Sequence, residues 1–185
     1  MDPVTEQALS DLFDGDQAQR NDAFHRLMPI TDEPVDWAYE AWDRALAGLT
    51  AKDNHVRAVS AQLLCNLAKS DPDGRLVDDF DRLLNVTRDA RFVTARHCLQ
   101  NIWKVGLAGP EQLSVLLAGL RLRYTESFTE KNGTLIRFDI IVGLANLYVA
   151  LADPTIRADA LSWIDEEPDL KYRKKSLGAW KKLTS

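Results

Sequence analysis

Apolar side chains recur every three or four positions through most of the 185-residue chain, in blocks separated by short polar stretches that contain Asp, Pro or Gly. That period lays apolar residues along a single face of an α-helix. The stretch 53–69, DNHVRAVSAQLLCNLAK, displays it most fully, with Asp53 at its start, Arg57 four residues later and an apolar stripe behind them. An Asp at a helix N-cap accepts hydrogen bonds from the unpaired amides of the first turn and suits the positive end of the helix dipole. The chain is therefore expected to be all-α.

The same pattern starts again along the sequence, at Asp16, Asp53, Asp89, Gly133 and Asp169, in steps of 37, 36, 44 and 36 residues. Steps of that size mark tandem helical repeats. Four residues after each start stand Arg20, Arg57, Val93, Arg137 and Arg173, and fourteen after it stand Ile30, Leu67, Trp103, Leu147 and Leu183. The second column is apolar throughout and is expected in a core; the arginines are expected to pair with the Asp one turn before them and to form rungs between neighbouring copies. Second helices are expected at 34–49, 75–86, 110–125 and 154–166, each after a loop signal such as TDEP or SDPDG, because Pro suits a first helical turn. Residues 3–13 are expected to add a leading helix. The long step before Gly133 is absorbed by TESFTEKNGT at 125–134, expected to project as a loop.

An Asp-x-x-Val-Arg start, an apolar helix, a short loop and a second helix, clearest in DNHVRAVSAQLLCNL, resemble the HEAT repeat over residues 14–183. The third copy departs from it, with Val93 and Arg96 where an Arg and a small residue stand in the motif. The resemblance implies a right-handed α–α superhelix: a HEAT-like α-solenoid of helix pairs plus a C-terminal capping helix, one domain over 1–185, with the second helices lining its concave side. Architecture alone carries no chemistry.

Charge sharpens the picture. The formal total is −5, yet second-helix segments 32–50, 71–86, 109–125 and 153–167 carry −4, −3, +1 and −4, whereas first-helix segments 16–30, 53–69, 89–104, 133–150 and 169–183 carry 0, +1, +2, 0 and +5. An inner surface made of second helices is then acidic, with Asp36, Glu40, Asp43, Asp78, Asp79 and Asp81 contributing, and it repels phosphates and attracts cationic segments. The plainer reading of the same acids is a solvated face. In DWAYEAWDR at 36–44, Trp42 falls on the buried stripe, while Trp37 either stands exposed as an anchor for a cationic partner or caps the core under the N-terminal residues. The expected function is a non-catalytic scaffold that binds a basic or amphipathic segment of another protein through Trp37, Glu40, Asp43, Asp78 and Asp81.

The last helix reverses the sign, with Lys171, Arg173, Lys174, Lys175, Lys181 and Lys182 around Tyr172 and Trp180. Trp180 is expected to pack on the preceding copy while the cations form a polar end cap. The functional alternative is an anion or nucleic-acid patch at Lys171, Arg173, Lys174 and Lys175.

Signatures of catalysis are missing. The three histidines, His25, His55 and His97, have no second His or Cys at ligand spacing on the same helix, and adjacent His97 and Cys98 point about 100° apart. No catalytic residue, metal or cofactor is expected. HEAT-like alkylpurine DNA glycosylases are similar in architecture and imply an alternative, Trp37 with Asp43 or Trp163 with Asp165 acting on damaged DNA, although the acidic surface has the wrong sign for it. HEAT-like partners of bilin lyases imply another, for which no pigment pocket is marked. Trp103 and Trp163 are expected to pack, Arg121 and Arg123 to form internal salt bridges, and Cys65 and Cys98 to be buried free thiols. The longest uncharged stretch, IIVGLANLYVALA at 140–152, is shorter than the about 20 residues of a membrane span, and no signal-peptide pattern opens the chain, so a cytoplasmic protein without a membrane partner is expected.

Overall fold

Acidic caps and prolines open most helices of the computed structural model, which describes residues 1–184. Ten α-helices follow one another, and no strand occurs among the described residues: α1 (Pro3–Asp14), α2 (Gln17–Thr31), α3 (Ala38–Gly48), α4 (Asn54–Leu67), α5 (Arg75–Val86), α6 (Phe92–Leu99), α7 (Pro110–Glu126), α8 (Gly133–Leu151), α9 (Pro154–Glu166) and α10 (Leu170–Thr184). Asp2, Asp16, Asp53 and Asp153 each accept a hydrogen bond from a first-turn amide, and at α2 the Asp16 amide donates in return to the Gln19 side chain. Asp169 does the same for the amides of Lys171 and Tyr172 at 2.9 and 3.0 Å. The leading helix and the boundaries at 75–86 and 154–166 agree with the periodicity.

The even-numbered helices lie side by side: α2 packs on α4, α4 on α6, α6 on α8 and α8 on α10. Among the odd-numbered ones, α3 packs on α5 and α5 on α7. Between the two sets lies a continuous apolar core, in which Leu27, Trp42, Leu64, Leu83, Leu116 and Leu144 are all fully buried. Gly48 lets α3 approach α4 closely, since a Cβ there would stand 2.1 Å from Ser60 Oγ.

Hydrogen bonds join residues 30 to 33 positions apart. Arg20 donates to Asp53 at 2.6 Å, and Arg57 donates to Asp89 through Nε and Nη2 at 2.5 and 3.0 Å. Arg137 donates twice to Glu167 at 2.6 and 2.9 Å, both side chains being at most 5% exposed. Each of these arginines therefore pairs with an acid at or near the start of the next copy. The within-turn pairing expected beside it is not what these arginines make: for Arg20 and Arg57 the capping carboxylate is already occupied by a first-turn amide or by the preceding arginine, and Gly133 offers Arg137 no carboxylate.

Three expectations are corrected. Residues 89–104 are not one helix: α6 ends at Leu99 and a 3-10 segment runs over Ile102–Leu107, where Ile102 and Val105, three residues apart, are both buried. A turn of three residues fits that spacing. The apolar column fails at both ends, since Ile30 is 40% and Leu183 39% exposed. The 125–134 stretch is not a free loop: α7 runs to Glu126, Ser127 is buried and receives hydrogen bonds from Arg137, and Arg123 holds Glu130 at 2.5 Å, while 128–131 remain exposed.

Helix α8 is long and apolar enough to cross a membrane by length and composition, with a mean hydropathy of 1.6 over its most apolar stretch; half of that stretch is buried in this fold. The uncharged stretch at 140–152 is shorter than this helix because Arg137 and Asp139 precede it. Both are buried and ion-paired, Asp139 with Arg96 at 2.7 and 2.9 Å.

Candidate functional site

The acidic residues singled out from the sequence fall on α3, on α5 and on the turns before them. Their surroundings differ sharply. Trp37 is only 8% exposed and joins the core cluster, so the capping alternative is the one observed. It precedes α3 as its N-cap residue, and the helical phase that places it outside does not yet apply there. Glu40 accepts from the N-terminal amine at 3.2 Å. Asp43 takes Arg75 at 2.5 Å, and the Arg75 guanidinium lies 5.1 Å from the Tyr39 ring centre and 5.6 Å from that of Trp42.

Around Arg75 the two helices are locked together. The Tyr39 hydroxyl donates to Asp71 at 2.5 Å and accepts from the Asp73 amide, and Trp42 Nε1 donates to Asp79 at 3.1 Å. Desolvation, then the bond to Asp71, pushes the Tyr39 phenol up to about 12. Asp71 also caps α5 through the amides of Arg75 and Leu76, a task Gly74 has no side chain to perform. Tyr39, Asp71 and Arg75 are absent from the set predicted by sequence. Their only sequence signal is separation, since the bonds from Tyr39 to Asp71, Arg75 to Asp43 and Trp42 to Asp79 span 32, 32 and 37 residues, close to one repeat.

What remains as free negative surface is smaller than the acid count implies. Asp36, Asp78 and Asp81 are exposed, and none has an ion-pair partner among the described residues. Asp78 and Asp81, three residues apart, share one face of α5. Asp32, by contrast, is engaged by Lys104 from the 3-10 segment, and that hydrogen bond is the main reason its carboxyl lies below the ordinary range.

The predicted basic residues on α10 divide differently. Arg173 donates to the Glu167 carbonyl at 2.8 Å and is held against the turn. Lys175 Nζ lies 4.0 Å from the centre of the Phe138 ring and 5.2 Å from that of Tyr172. Lys171 and Lys174 are exposed without a carboxylate partner among the described residues. Trp180 is buried beside Tyr148, as expected.

The alternative catalytic pairs do not assemble. Trp37 is buried, and Trp163, 5% exposed, lies against Tyr124 with the Arg121 guanidinium 5.3 Å from its ring centre. Arg121 pairs with Glu166 and Arg123 with Glu130, the internal roles read from the sequence. Cys65 and Cys98 are buried free thiols, and burial pushes Cys65 up to about 12 and Cys98 well above its ordinary value. Partial burial, then His55 and Arg96, lowers the His97 pKa and favours its neutral form. Among the described residues no group of three or more His, Cys, Asp or Glu is arranged to hold a metal ion. A surface hollow of about 870 Å³ is lined by Gly15, Asp16, Gln17, Ala18, Arg20, Asn21 and His55, none of them a candidate site residue.

No protein-family model matches this chain, and no curated protein matches it.

Proposed function

We propose that the chain is a HEAT-like α-solenoid that serves as a non-catalytic scaffold and holds a cationic segment of another protein against α3 and α5. Tandem stacking is supported by the row of even-numbered helices and by the repeated Arg-to-acid rungs, each joining one copy to the next. The observation that carries the partner reading is the set of exposed acids Asp36, Asp78 and Asp81 on the α3–α5 side, left without ion-pair partners among the described residues while Glu40, Asp43 and Asp79 nearby are paired. Unpaired carboxylates on a rigid support attract a basic segment and accelerate its encounter more than they tighten its final grip.

Titration with a labelled lysine- and arginine-rich peptide tests this reading. Binding is expected to weaken with salt and to fall at least about tenfold in Asp78→Lys/Asp81→Lys, which loses two attractive charges and gains two repulsive ones. Asp43→Asn is expected to do less for the peptide and to loosen the Arg75 contact instead. Peptide binding that survives reversal of Asp78 and Asp81 would end the proposal.

A further inference from the structure

Helix α10 carries a surface that the scaffold reading does not use. Lys171, Lys174, Lys175 and Lys181 follow one another at spacings of three, one and six residues, and Gly178 stands between the last two. On a helix these positions share one side, and the four lysines extend over about 15 Å of its axis. The opposite side holds the buried Ser176 and Trp180, so the lysine side faces away from the core.

Three carboxylates on α8 and in the turn before α10 are committed elsewhere. Asp139 is taken by Arg96, Glu167 by Arg137, and Asp169 by the amides of Lys171 and Tyr172. Among the described residues no carboxylate pairs with Lys171, Lys174, Lys175 or Lys181, in a chain whose net charge is −5. A polar end cap needs an outward polar face but not one sign of charge, and repulsion among such lysines costs the bare helix stability.

Gly178 is a second, independent observation. It lies in the interior of α10, where Gly is unfavourable by about 1 kcal/mol relative to Ala. A Cβ there would meet nothing within 4 Å, so no packing contact inside the molecule requires Gly. The missing side chain leaves the backbone on the lysine side open to close approach. Beside the stripe, the half-buried rings of Tyr172 and Phe138 both lie close to Lys175 Nζ. Lysine ammonium groups are point charges that contact phosphates without reading sequence, and neighbouring rings offer stacking to unpaired bases.

We infer that the outward side of α10 binds single-stranded nucleic acid through its phosphates, with Gly178 as the point of closest approach and Tyr172 as a stacking ring. Fluorescence anisotropy of a labelled mixed-sequence single strand of about 20 nucleotides, long enough to span four phosphate contacts, tests it on the full chain. Four such contacts predict a slope of log K against log salt near −3, which is about a 50-fold loss of affinity between about 50 and 200 mM. Lys171→Glu/Lys174→Glu alters side chains that hold no carboxylate within the fold and is expected to bring the slope to about −1.5 or shallower. Tyr172→Ala is expected to weaken the single strand several-fold while leaving a duplex of the same length unchanged. Gly178→Ala is expected to stabilise the fold while weakening the single strand, a pairing of effects that a merely structural glycine would not give. Wild-type affinity in Lys171→Glu/Lys174→Glu, or tighter binding of duplex, acidic peptide or anionic vesicles than of the single strand, would overturn the proposal. Asp78→Lys/Asp81→Lys leaves the lysine side intact, so failure here and failure of the scaffold reading are separate results.

Discussion

Helices α4 and α6 begin from the same motif position, yet only one of them follows it to the end. At α4, Asp53 caps the helix and receives Arg20 from the copy before, while Arg57 reaches forward to Asp89. At α6, the residue four after the start is Val93, 67% exposed, and Gly133 stands where the next acid is due. No rung forms at that position. The connection between these copies runs deeper along the helices, from Arg96 to Asp139, whose side chain is 3% exposed. The ladder thus tolerates the loss of a rung when a pair further along the same two helices replaces it. The comparison teaches that α4 and α6, and α6 and α8, are each joined by a charged contact, made at different depths along the helices.

The rungs differ in burial, and burial orders what their loss costs. Arg137→Ala strips the charge partner from Glu167, which is buried and holds only the Asp169 amide besides. Removing one partner of a buried pair costs about 3–5 kcal/mol. Urea unfolding is expected to register that loss as a lowered midpoint, and a drop under about 1 kcal/mol would show that this rung is not a buried contact at all. Arg57→Ala comes next. Asp89 is 6% exposed and the arginine 17%, and the change also releases the carbonyls of Ala51 and Lys52. A loss of about 1–3 kcal/mol is expected.

That rung has a pH signature. The Arg57 hydrogen bond holds the Asp89 carboxyl below the ordinary range, with the Arg91 amide adding to it. A depressed folded-state pKa gives stability that is complete above the unfolded value of about 3.9 and fades as pH falls through the lower folded value. The stability gap between wild type and Arg57→Ala is therefore expected to be full at neutral pH and to narrow on acidification below about pH 4. A gap that stays constant to the acid end would mean that packing of the arginine stem, not charge, makes the rung.

How much of this is legible in the sequence depends on whether a feature is local. Helix starts at Asp16, Asp53 and Pro154, and whole segments such as 75–86, follow from capping chemistry and period. Periodicity puts Trp37 outside because it starts a helix at 34, whereas 34–37 precede α3 and obey no helical phase. The break after Leu99 has no proline to announce it; the turn tightens so that Ile102 and Val105 both reach the core and Lys104 reaches Asp32 and Asn66. The polar 125–134 stretch reads as a free loop because its holders, Arg123 and Arg137, declare themselves only in three dimensions. The same holds for the acids of α3 and α5, whose number is visible in the sequence and whose partners are not.

Smaller effects sharpen the comparison at its exposed edge. Arg20→Ala removes a rung whose members are 24% and 45% exposed, and water screens such a pair. Only about 0.2–1 kcal/mol is expected, diminishing further with salt. A loss as large as that of Arg57→Ala would show that the ladder acts as one cooperative unit and not as separate contacts.

Val93→Arg is the smallest change and the most direct probe of register. It restores the missing arginine of the third copy, and if the motif alone made the rung, stability would rise. Gly133, where the motif would place the next acid, offers no carboxylate, and a Cβ there would stand 1.9 Å from the Ser127 carbonyl oxygen, so Asp cannot be supplied there without moving the 127–133 turn. The introduced guanidinium would find solvent. Stability is expected to stay within about 0.5 kcal/mol of wild type, as for a surface substitution that gains no partner. A gain above about 1 kcal/mol would instead show that the new side chain draws an acid such as Glu130 away from Arg123, and that the register here is held by competition among acids and not by the packing of Gly133.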